Sequence, residues 1–106
     1  GVADQPDASP EDKEAVLVRT IEHLRPGLWL LVDHPGLDTP EMQTLGHTGY
    51  RNVAADRAGV THALCSKRVK EAIASRGIRL ISYAQALQEG SAARSTSTRS
   101  SPSGAR

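Results

Sequence analysis

A chain of 106 residues has room for one small core, and 38% hydrophobic residues with no Phe, one Trp and two Tyr means that Leu, Ile, Val and Ala must build it. The net charge of +1 hides a division: Arg94, Arg99 and Arg106 lie in an acid-free end, and without them the body stands near −2. That balance carries no basic patch of the kind nucleic acid requires. The single Cys65 excludes an internal disulfide, and no apolar run approaches the roughly 18 residues that span a bilayer. The expected setting is soluble and cytoplasmic, without membrane or nucleic-acid partners.

Residues 1–9 read as a linker or truncated loop, because the chain opens on Gly1 with a polar stretch and lacks the charged start and apolar run of a signal peptide. Ser9 is a helix cap, Pro10 suits the first helical position, and Glu11, Asp12 and Glu14 place negative charge at the positive end of the helix. Leu17, Val18, Ile21 and Leu24 give that helix one apolar stripe and carry it to about Leu24, before Pro26 and Gly27.

Leu28-Trp29-Leu30-Leu31-Val32 is a continuous apolar run between Pro26-Gly27 and Pro35-Gly36, predicted as a strand buried on both faces. From His34 to about Val60 the sequence predicts an irregular segment, with one short helical turn started by Thr39-Pro40-Glu41. Ser66 caps a further helix carrying Val69, Ala72 and Ile73 and ending at Gly77. Ile78 to Ile81 read as a second strand, and the Ser82 and Gln85 spacing is that of a capping box opening a last short helix. Residues 90–106 are Ser-, Ala- and Arg-rich and predict disorder.

Helix, strand, long crossover with a helix, strand and helix is the order of an α/β fold, with Leu28–Val32 and Ile78–Ile81 as parallel strands. Two strands with three short helices leave a doubly apolar strand uncovered. The expectation is therefore a fragment with an exposed apolar surface.

The segment Arg25-Pro26-Gly27-Leu28-Trp29-Leu30-Leu31-Val32-Asp33-His34-Pro35-Gly36 is similar to a late strand of the YdjC-like carbohydrate deacetylases, in which a Pro-Gly turn precedes an apolar strand ending in His-Pro-Gly. Leu64-Cys65-Ser66, Val69-Lys70-Glu71-Ala72 and Arg76-Gly77-Ile78-Arg79-Leu80-Ile81-Ser82-Tyr83 resemble the end of the same family, so the likeness covers about residues 10 to 89. It implies the C-terminal part of an irregular (β/α) barrel that removes acetyl groups from N-acetylated sugars or glycans. It also implies a divalent metal, Mg or Zn, in the complete enzyme. The family's Asp-Asp pair and His-x-His motif are not in this sequence, so the resemblance implies a metal held by a missing N-terminal barrel segment, with none expected in this chain alone.

His34 is the candidate catalytic residue: it ends the apolar run, and an imidazole titrates near neutrality, where proton transfer is easiest. Its plain alternative is a turn residue before Pro-Gly, and Asp33 either orients it or is a solvated strand end. His47, in the Gly-rich stretch, is the candidate substrate contact, against a simple loop histidine. His23 and His62 read as polar-face or loop residues, Cys65 as a small residue near a cap, and Trp29 as core, with sugar stacking as the alternative. Arg57 is similar to an Arg preceding the family's last large helix, but Val60 stands where a Glu is expected, and Arg57 is left outside the candidate site. The alternatives to a deacetylase fragment are a non-catalytic glycan-binding or degenerate deacetylase-like remnant and a small α/β interaction domain.

Overall fold

Capping residues fix where the helices start. In the computed structural model, which describes residues 5–90, Ser9 accepts from the Asp12 amide at 3.1 Å and opens α1 (Pro10–Glu22). Thr39 accepts from the Met42 amide at 3.2 Å and opens α2 (Pro40–Gln43). Then come α3 (Val53–Cys65) and α4 (Lys67–Ser75), separated by Ser66 alone, whose hydroxyl accepts from the amides of Arg68 and Val69. Gly77, at φ 64°, turns the chain out of α4 in the left-handed conformation that glycine adopts without a Cβ penalty. Ser82 and Gln85 exchange reciprocal bonds of 3.2 and 2.8 Å, and residues 83–90 form α5.

The core is helix on helix. The stripe Leu17, Val18 and Ile21 of α1 meets Ala63 of α3 and Val69 and Ala72 of α4, with Leu64, Ile73 and Ile78 packed around them. α1 lies against both α3 and α4, and α2 against α3. Arg76, just past α4, donates to the Leu24 carbonyl at 2.8 Å and so ties the ends of α1 and α4 together.

Neither Leu28–Val32 nor Ile78–Ile81 is a strand, and among the described residues the only β pairing is the isolated bridge between His47 and Tyr50. The chain is helical, so a fragment of a (β/α) barrel with parallel strands is not its fold. The physical reason is that α1, α3 and α4 satisfy one another's apolar stripes and offer no face for a sheet. The 28–32 run accordingly lies outside the core, with Leu28 71%, Trp29 59%, Leu30 65%, Leu31 46% and Val32 56% exposed. Trp29 is therefore not core, and its indole donates to the Arg25 carbonyl at 2.8 Å instead.

The segment 34–60 is also more ordered than expected, because α3 begins at Val53. Residues 1–4 and 91–106, which hold part of the predicted linker and nearly all of the predicted disordered tail, lie outside the described residues. No helix among the described residues is long and apolar enough to cross a membrane.

Candidate functional site

Lys13 is the most buried large side chain among the described residues, at 1% exposure, although it sits on a helix whose neighbouring polar positions face solvent. Its stem passes over Gly59 of α3, where a Cβ would come within 2.8 Å of Lys13 Cδ and 2.9 Å of Cε. Glycine at that position lets the two helices close around the lysine. At its tip, Nζ donates to the Gln5 carbonyl at 3.0 Å and to Asp56 Oδ1 at 2.5 Å.

The other Asp56 oxygen accepts from the Tyr50 hydroxyl. Burial pushes the Asp56 carboxyl up, but the hydrogen bonds from Lys13 and Tyr50 and the charges of Lys13 and Arg57 outweigh it and hold the group below its ordinary value. Tyr50 moves the other way: its bond to Asp56, then its burial, keep the phenol protonated to higher pH than usual. Asp56 is thus a fixed anion between two donors, suited to orienting Tyr50 and poorly suited to taking up a proton near neutrality.

Above this network is a cavity of about 330 Å³ lined by Pro6, Asp33, His34, Tyr50, Asp56, Arg57 and Val60. His34 reaches it from the loop after the apolar run, and its backbone amide donates to Asp33 Oδ1 at 2.9 Å. Asp33 therefore holds the backbone at His34, and the imidazole faces solvent with no hydrogen bond among the described residues. Arg57 Nε is buried without a hydrogen-bond partner, an unusual state for a guanidinium donor.

His47 lies outside this lining. Its ring meets Tyr50 edge to face at 5.9 Å between centroids, and its Nδ1 is 2.8 Å from the Thr48 carbonyl. It touches the pocket through Tyr50 alone. His23 Nδ1 lies 2.7 Å from the Arg19 carbonyl, while His62 and Cys65 are exposed on α3. Among the described residues, no group of three or more His, Cys, Asp or Glu could hold a metal ion. The donor set of the metal that the resemblance implies is not assembled by these residues.

Sequence reasoning missed Lys13, Tyr50 and Asp56. The available signal was one lysine in the apolar half of an amphipathic helix, since Lys13 stands one turn before Leu17. The partner could not be read locally, because the ion pair joins residues 43 apart.

Comparison with known proteins adds no family to this description: no family model, no curated protein and no solved structure matches the chain.

Proposed function

We propose that this chain is part of a metal-dependent carbohydrate deacetylase that removes acetyl groups from N-acetylated sugars or glycans, with His34 as the proton donor to the departing amine. The supporting sequence is the run ending in Asp33-His34-Pro35-Gly36 together with the Arg76 to Tyr83 segment. The structural observation that carries the reading is the pocket itself, in which an accessible imidazole shares one wall with Tyr50 and the Arg57 side chain. The helical fold does not carry it.

In amide hydrolysis, water adds to the acetyl carbonyl, the C–N bond breaks, and the nitrogen leaves with a proton it did not have. His34 supplies that proton, and the proton that the attacking water loses goes to a carboxylate in the part of the protein that would hold the metal. Tyr50 is held in place by Asp56, and Asp33 and Arg57 offer an acceptor and a donor for sugar hydroxyls. The residues described do not fit a metal site, so the metal would be bound by other parts of the protein, and no step is assigned through it.

The test is release of acetate from an N-acetylated sugar oligomer by the full gene product that contains this chain. Replacing His34 by Ala is expected to lower turnover about 10²-fold or more with metal content unchanged, the effect of losing a general acid. Near-normal turnover in His34→Ala would refute the assignment. Sugar binding at this pocket without turnover by the wild-type gene product would instead make the chain a glycan-binding remnant, a reading that the same acceptors and donors favour.

A further inference from the structure

The His34 ring makes no hydrogen bond of its own among the described residues, so its place at the pocket is set by its backbone. That backbone is held on both sides. Before it, Asp33 takes the His34 amide at 2.9 Å. After it comes Pro35, which fixes its own φ and keeps His34 out of the helical region. Two residues beyond His34, Gly36 is bound to α3 through both of its backbone groups. Its N–H donates to Thr61 Oγ1 at 2.9 Å and to the Arg57 carbonyl at 3.1 Å, and its carbonyl accepts from the Thr61 hydroxyl at 2.6 Å.

A side chain at Gly36 would come within 3.1 Å of Arg57 Cβ, so glycine allows the loop to lie this close to the helix. A single hydroxyl thus accepts from and donates to the same residue across 25 positions of sequence.

We infer that Thr61 is a positioning residue for His34, holding the His34-Pro35-Gly36 loop on α3 so that the imidazole stands at the pocket beside Arg57 and Tyr50. The inference rests on the reading of His34 as a proton donor. Its structural half, the clamp, is independent of any reaction. A valine at this position fills the same volume and loses the hydroxyl, leaving the Gly36 carbonyl without its donor, whereas serine keeps the hydroxyl.

The experiment compares Thr61→Val and Thr61→Ser in the 106-residue chain by amide hydrogen exchange and by the NMR signals of the His34 ring. In Thr61→Val the Gly36 amide is expected to exchange about tenfold faster, with the amides of α1 and α4 unchanged and the His34 ring signals displaced, while Thr61→Ser keeps the wild-type pattern. Unchanged exchange at Gly36 in Thr61→Val would overturn the clamp, as would serine behaving like valine.

In the full gene product, Thr61→Val is expected to lower kcat about tenfold, leave KM for an N-acetylated sugar near its wild-type value, and be rescued by Thr61→Ser, as for a misplaced catalytic group. A loosened Gly36 with unchanged kcat would overturn the positioning role alone. The deacetylase reading is judged separately by His34→Ala.

Discussion

Replacing Lys13 with Met keeps most of the stem that packs over Gly59 and removes the ammonium that meets Asp56 at 2.5 Å. Breaking a buried pair by deleting one partner costs about 3–5 kcal/mol. Asp56 retains the Tyr50 hydroxyl and the Arg57 charge and its side chain is 13% exposed, which reduces the expected loss to about 2–3 kcal/mol. For a domain of this size, each kcal/mol moves the midpoint by about 4–8 °C, so thermal unfolding followed by circular dichroism should fall by roughly 10–20 °C at pH 7.

The pH dependence gives the sharper test. The folded Asp56 carboxyl lies below its usual value, so its contribution is present above the unfolded value of about 3.9 and is lost as pH falls through the lower folded value. Below pH about 4 the wild type should lose stability faster than Lys13→Met, and the gap between them should close. Equal midpoints at pH 7, or a gap that stays constant into acid, would refute the pair as a stabilising contact.

Gly59→Ala places a methyl group 2.8 Å from Lys13 Cδ and should cost about 1–3 kcal/mol in urea unfolding, with much of the loss recovered when Lys13 is shortened in the same chain. Tyr50→Phe removes one donor to Asp56 and should destabilise by about 1–2 kcal/mol at neutral pH. Because the folded Tyr50 phenol is raised, its contribution is complete below the unfolded value of about 10 and fades as pH rises through the folded one, so wild type and Tyr50→Phe should converge in alkali.

Helix starts were legible because a cap is a contact between residues two or three positions apart. Ser9, Thr39, Ser66 and the Ser82–Gln85 pair could each be read locally, and each is found. α3 was hidden by the features that make it fit. Gly59, Val60 and Thr61 are poor helix formers, yet Val53, Val60 and Ala63 fall on one face, and Gly59 admits Lys13. Tertiary packing overrides the local preference there.

The apolar run 28–32 was misread for the opposite reason. Composition shows that such a run avoids water, but whether a partner exists to cover it is a property of the whole chain. His34 and Arg57 were both noticed in the sequence. That they share a pocket depends on the Gly36–Thr61 contact, which no spacing rule contains.

The network around Asp56 also bears on how the protein opens. Through Lys13 and Tyr50, one carboxylate joins the turn that holds Gln5, the first turns of α1, the bridged residues 47–50 and α3. None of these can leave without releasing charge or hydroxyl from the others, so fraying at one place is coupled to the rest. The amides of His47 and Tyr50 stand in a solvent-facing turn that would ordinarily exchange within the lifetime of a loop. Tied to α3 through the Tyr50 hydroxyl, they should exchange more slowly by about the tenfold that one such bond confers and lose that protection in Tyr50→Phe, which makes a surface turn the reporter of a single buried carboxylate.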